Sequence, residues 1–198
     1  MFRAVVLAAG SSSRMGKQNK LLLPLNDKPV IENVLLTLTM LQQLETVVVT
    51  TYPEIITIAE KYNAKVAFPK SVEHSQSNSL KSGLDNIQAD IKGIFFILGD
   101  QPFISSTLLA LMMKAFLYLK DVGTDRDIIV PYYLQTKGNP PLIDVKYVKE
   151  LRKITGDKGA RDILQNHSQN IFKLQVTDPL VFKDIDTNDD YQQVKFFR

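Results

Sequence analysis

Three stretches of this chain carry residue types suited to phosphate and divalent metal. The first is Leu7-Ala8-Ala9-Gly10-Ser11-Ser12-Ser13-Arg14-Met15-Gly16, followed soon after by Lys20-Leu21-Leu22. Small residues dominate it, so successive backbone N–H groups can converge on phosphate oxygens. Arg14 and Lys20 supply positive charge where a triphosphate would lie. A serine-rich solvent turn would need neither the two cations nor the two glycines. The second stretch is Gly99-Asp100-Gln101-Pro102, which puts Asp100 directly after an apolar run and ahead of a stiff proline. The third is Asp184-Ile185-Asp186-Thr187. Magnesium usually takes one or two protein carboxylates and fills its shell with substrate phosphates and water, so Asp100 with one later aspartate would suffice. If the third stretch ends a strand, alternation puts Asp184 and Asp186 on the side opposite Ile185. Alone, each acidic turn reads as a helix cap or a solvated loop. Joined to the first loop, they read as a metal–triphosphate site with Asp100 as one metal ligand and either Asp184 or Asp186 as the second, Asp186 being preferred.

Other phosphate-handling loops do not fit. Five residues separate Gly10 from Gly16-Lys17 where a P-loop has four, and Gln18 stands where a magnesium-binding Ser or Thr is needed. The dinucleotide fingerprint GxGxxG is absent. Cysteine is absent too, which removes disulfides, thiolate metal sites and a cysteine nucleophile, and the two histidines, His74 and His167, lie far apart without metal-ligand spacing. Both read as surface or helix-end residues. The formal charge of +3, from 24 basic and 21 acidic residues, is spread along the chain rather than gathered into a stripe, which argues against nucleic acid as the main partner. The N-terminus has no long apolar stretch, so no membrane partner and a cytoplasmic location are expected.

Positioning these loops requires a scaffold, and the hydrophobic pattern describes one. Strands are predicted over Arg3–Leu7, Thr46–Thr51, Ala64–Phe68, Gly93–Leu98, Asp127–Val130, Ile171–Val176 and Leu180–Ile185. Helices are predicted over Pro29–Leu41, Pro53–Tyr62, Asn78–Ile87, Ser105–Lys120, Val145–Ile154 and Ala160–Asn166, with another at the C-terminus. Alternating strands and helices indicate an α/β fold with a mostly parallel, helix-covered sheet whose ligands bind beyond the carboxyl ends of the strands. With 198 residues and 44% hydrophobic content, a single domain spanning 1–198 is expected.

The motifs then become recognisable as a set. LAAGSSSRMGKQNKLLLPL resembles the signature of the MobA-like nucleotidyltransferases, usually LAAGxSxRMGxxKLLxxL. HSQSNSLKSGL resembles that family's serine-rich segment, GDQP its metal-binding turn, GNPPLI its GHPxLI loop, GDKGAR its GDxGAR and DIDTNDDY its DIDTPEDY. Two departures stand out: Asn139 replaces the usual histidine of GHP, and His74 stands where glycine is frequent. The resemblance is strongest to the branch of molybdenum cofactor cytidylyltransferases and related purine-catabolism accessory proteins. It implies a Rossmann-like (GT-A-like) nucleotidyltransferase domain in which Mg²⁺ links Asp100 to the triphosphate. Arg14, Lys20 and Asp100 are the implied catalytic residues. Leu7, Ala8, Ala9, Gly10, Ser11, Ser12, Arg14, Lys20, Ser79 and Asp100 are the implied nucleotide contacts. Guanylyl relatives carry a second glycine in place of Ala9, so CTP is expected over GTP. Gly138, Asn139 and Pro140 face the acceptor by the same analogy, the acceptor being molybdopterin and a molybdenum hydroxylase the recipient of the product. Arg161 either binds the acceptor's phosphate or begins a helix that Asp157 merely caps. Ser75, Ser77 and Ser79 either bond base or ribose or cap their helix. The competing readings are a cytidylyltransferase acting on a different phosphorylated acceptor and a carrier that holds cofactor or nucleotide for a purine-oxidising hydroxylase without forming a bond; the carrier has no need of the full metal–triphosphate set.

Overall fold

Strands that are apolar on both faces end up in the middle of a sheet, and two segments of this chain have that character. The computed structural model describes residues 1–10, 18–70, 76–156 and 159–195. Its strands in chain order are β1 (Phe2–Leu7), β2 (Pro24–Leu25), β3 (Lys28–Pro29), β4 (Leu44–Val49), β5 (Lys65–Ala67), β6 (Gly93–Leu98), β7 (Ile128–Tyr133), β8 (Thr136–Lys137), β9 (Leu142–Asp144) and β10 (Ile171–Gln175). The helices are α1 (Val30–Thr39), α2 (Pro53–Lys61), α3 (Gln76–Gly83), α4 (Ser106–Asp121), α5 (Val148–Leu151), α6 (Arg161–Asn166) and α7 (Asn188–Val194). The main sheet runs β10-β7-β9-β6-β1-β4-β5, with β8 on β7, while β2 and β3 form a separate hairpin. Neighbours pair in parallel except around β9, which is antiparallel to both β6 and β7, and at the β7–β8 hairpin.

Period-two alternation divides the core. Ala4 and Val6 of β1 face a cluster built with Ile31, Leu35, Ile55, Met112 and Phe116 from α1, α2 and α4. Val5 faces the other cluster, with Leu80, Leu84, Leu151 and Ile163. Helix α3 comes unusually near the sheet because it ends in glycine: a Cβ on Gly83 would lie 2.1 Å from Val5 Cγ1.

Two expected elements take another form. Leu180–Ile185 is not a strand. Pro179 and the Asp178 side chain, which accepts from the Leu180 N–H, start a 3₁₀ turn over Pro179–Phe182, and the chain then runs on without ladder partners. The helix expected over Val145–Ile154 divides into a 3₁₀ turn, Val145–Tyr147, and α5. The Asn26-Asp27 turn of the β2–β3 hairpin, both residues at positive φ, and the short antiparallel β8 and β9 are additions. They are too brief to show a period in sequence.

Candidate active site

Parallel pairing in register brings the first two predicted loops together. Leu7 of β1 lies opposite Leu98 of β6, so the chain leaves both strands at the same height and the Gly99 N–H donates to the Leu7 carbonyl at 3.1 Å. Asp100 therefore stands beside Ala8, Ala9 and Gly10. Both alanines are buried. Gly10 is exposed, and a Cβ there would meet nothing within 4 Å. Its carbonyl accepts from the Tyr52 hydroxyl at 3.1 Å, which fixes the start of the loop. Ser11, Ser12 and Arg14 lie outside the described residues, as do His74, Ser75 and Asp157.

Lys20 opens a 3₁₀ turn, Lys20–Leu22, that Asn19 caps by accepting from the Leu21 N–H, while Leu21 is driven into the core. This leaves the Lys20 ammonium 2.5 Å from Asp100 Oδ2 and 2.7 Å from Asp186 Oδ1. The third stretch reaches the same point without being a strand. Ile185 is fully buried and its N–H donates to the Asp100 carbonyl at 3.0 Å, so the flanking Asp184 and Asp186 are held at Asp100. Downstream, Thr187 and Asp190 form a capping box for α7, and Lys183 pairs with Asp190 at 2.8 Å. Lys183 and then Thr187 hold the Asp190 carboxyl far below the usual carboxylate range.

The electrostatics of the cluster are unbalanced. Burial, then the charges of Asp186 and Asp100, push the Asp184 carboxyl above its ordinary value. Burial pulls the Lys20 ammonium down, but Asp100 and Asp186 outweigh it, and its net shift is upward. Asp100 Oδ1 is buried and has no hydrogen-bond partner. An acceptor in that condition costs roughly 1 to 3 kcal/mol unless something donates or coordinates to it. Among the described residues no three His, Asp or Glu side chains form a ready metal cage. Asp100 and Asp186 with the orphaned Oδ1 do fit a hard cation that draws its remaining ligands from phosphate and water.

The remaining candidates are distributed around this centre. Ser79 is buried on α3, which packs on β1 and β4, and Ser77 is buried too. Gly138 and Pro140 are buried and Asn139 half-buried, in a loop with a cis Asn139–Pro140 peptide before β9. Arg161 is exposed at the start of α6, and nearby Gly159 lies against the Gln76 side chain of α3. His167 caps the end of α6 and pairs with Glu150 at 2.8 Å, a helix-end residue as expected. Tyr52, Gln101 and Phe182 were not among the sequence candidates. Tyr52 had a signal, since it follows the end of a predicted strand.

The sequence profile described as MobA-like NTP transferase domain matches residues 4–171. Among curated proteins no sequence matches this chain. Among solved structures, Rv0371c from Mycobacterium tuberculosis H37Rv is 28% identical with a TM-score of 0.77, covering 98% of this chain and 97% of that one. A structure of Rv0371c in complex with manganese aligns at 25% identity and a TM-score of 0.75, covering 100% and 99%. A nucleotidyl transferase from Methanothermobacter (Mth528) shares the fold at 22% identity and a TM-score of 0.80, covering 98% and 96%. Among the described residues no helix is long and apolar enough to cross a membrane.

Proposed function

The chain belongs to the MobA-like NTP transferase family, and from that premise we propose that it transfers CMP from CTP to a phosphorylated acceptor, molybdopterin, with release of pyrophosphate. The observation that carries this reading is the convergence of Asp100, Asp184, Asp186 and Lys20 beside the small-residue loop that starts at Ala8. Asp100 and Asp186 would hold Mg²⁺, which supplies neutralising charge on the triphosphate when bound. Manganese on Rv0371c, a relative at 25% identity, supports a divalent ion here. Lys20 presents a fixed positive charge to the triphosphate and to the departing pyrophosphate, and Arg14 is assigned the same task. A phosphate monoester is already nucleophilic at neutral pH. The residues therefore work by positioning the acceptor in line with the α-phosphorus and by stabilising charge, with no general base required. Gly138, Asn139, Pro140 and Arg161 are assigned to the acceptor, and Ser79 to the nucleoside. The CTP preference rests on Ala8-Ala9-Gly10, which resembles the cytidylyl form of the loop.

The test is incubation of the purified protein with each NTP, Mg²⁺ and molybdopterin. Pyrophosphate release with CTP and a product heavier than the acceptor by one cytidylyl group (CMP less water) are expected. Equal use of GTP would overturn the cytidylyl assignment. Tight binding of CTP or molybdopterin without pyrophosphate release would replace the enzyme with a carrier serving a molybdenum hydroxylase.

A further inference from the structure

The loop 138–140 and the strap that carries Asp184 and Asp186 come from distant parts of the chain, yet they meet at one side chain. A Cβ built on Gly138 would lie 2.1 Å from Phe182 Cε1, 2.3 Å from Cδ1 and 2.5 Å from Cζ. The glycine is therefore required by the ring's edge lying against its backbone. Gly138 cannot retreat freely, because it is buried and its N–H donates to the Pro131 carbonyl at 2.9 Å. Nor can Phe182, whose ring packs on the main core cluster beside Val181.

The backbone of Phe182 leads on to the carboxylates. Its carbonyl accepts from the Gln101 amide at 3.4 Å, and Gln101 is buried next to Asp100. Three residues later the Ile185 N–H bonds to the Asp100 carbonyl, and the next side chain, Asp186, sits 2.7 Å from the Lys20 ammonium. Displacing the ring shifts a segment pinned once to Asp100 and once to its neighbour Gln101.

We propose that Phe182 is a positioning residue that couples the packing of the 138–140 loop to the placement of Asp186 at the metal–triphosphate site. This rests on the reading of Asp100 and Asp186 given above. Close-packed interiors move as units rather than deforming locally, so a ring wedged between loop and strap transmits a displacement in either direction. Occupation of the loop by an acceptor would then adjust the carboxylates on the far side of the ring.

The experiment is a double-mutant cycle in the full chain, read by electron paramagnetic resonance of free Mn²⁺ titrated in the presence of saturating CTP, with circular dichroism to confirm folding. Gly138→Ala is expected to weaken Mn²⁺ binding by about tenfold, and Phe182→Ala by about threefold to tenfold. In the Phe182→Ala background, adding Gly138→Ala should cost nothing further, because the atoms it strikes are gone. Equal losses from Gly138→Ala in both backgrounds would overturn the coupling, as would unchanged Mn²⁺ affinity in folded Phe182→Ala. Should Gly138→Ala fail to fold alone, Phe182→Leu with and without Gly138→Ala tests the same relief. Wild-type protein that binds no Mn²⁺ with CTP would overturn the proposed function and this inference together. Wild-type binding with an indifferent Gly138→Ala overturns the coupling alone.

Discussion

Two acidic clusters lie at opposite ends of the same sheet, and they differ in whether their charges are settled. At the amino-terminal end of the parallel strands, Asp127 accepts from the Tyr147 hydroxyl at 2.9 Å and pairs with Lys146. Asp144 accepts from the Lys146 N–H at 2.7 Å and pairs with Lys120. Two aspartates meet two lysines, and each carboxylate oxygen has a donor. At the other end, Asp100, Asp184 and Asp186 surround Lys20, Asp184 is pushed upward, and Asp100 Oδ1 has no partner. Buried ionic groups that complete one another hold a fold together, whereas groups left incomplete mark where a ligand must contribute. In sequence the two clusters are alike, aspartates beside apolar runs. Only the geometry separates them.

The largest effect should come from the unbalanced end. Asp100→Asn is expected to lower turnover by about a hundredfold or more while leaving the fold intact, because it removes charge from the site and no core volume. Steady-state pyrophosphate release on folded variant checks this. At the balanced end the expectation reverses: Asp127→Asn should reduce stability with kcat/KM unchanged. Asp127 is 2% exposed but Lys146 is 51% exposed, so solvent screening discounts the pair. The remaining cost is about 1 to 2 kcal/mol, a fall in Tm of roughly 2 to 8 °C.

The same end should show itself at high pH. Burial, and then the bond to Asp127, push the Tyr147 phenol up to about 12. The folded state therefore holds the proton more tightly than the unfolded chain, whose tyrosine titrates near pH 10. Stability from this group is complete below about pH 10 and is lost as pH rises toward 12. Urea unfolding over that range should fall less steeply with pH in Tyr147→Phe than in wild type. The smallest effect belongs to Asp184→Asn, which relieves repulsion among the carboxylates. Without added metal, calorimetry should find a Tm higher by roughly 1 to 3 °C.

Much of this was legible in the chain. Arg3–Leu7 and Gly93–Leu98 could be read because a strand buried on both faces is, Arg3 apart, an unbroken run of apolar residues and glycine, and their shared register then puts the Ala8 loop beside Asp100. Lys20 and Asp186 were identified as residues, but their meeting through a 3₁₀ turn and an irregular strap was not. The apolar run Leu180-Val181-Phe182 imitates a strand, and the Asp178 cap with Pro179 decides otherwise. Gln101 was legible only as part of the turn that carries Asp100, and Phe182 only as part of an expected strand. Their roles come from contacts between segments remote in sequence, and neither residue type advertises such a contact.

The most direct test of the contrast between the two ends is the thermal midpoint with and without Mg²⁺ and CTP in wild type, Asp100→Asn and Asp127→Asn. A ligand at about a hundred times its Kd stabilises by about 2.7 kcal/mol, a rise of roughly 5 to 10 °C. Wild type and Asp127→Asn are predicted to rise together, Asp127→Asn from a lower starting point, while Asp100→Asn stays within about 2 °C of its ligand-free midpoint. An undiminished rise in Asp100→Asn, or its loss in Asp127→Asn, would contradict the assignment of the metal–triphosphate site to the carboxyl ends of the strands.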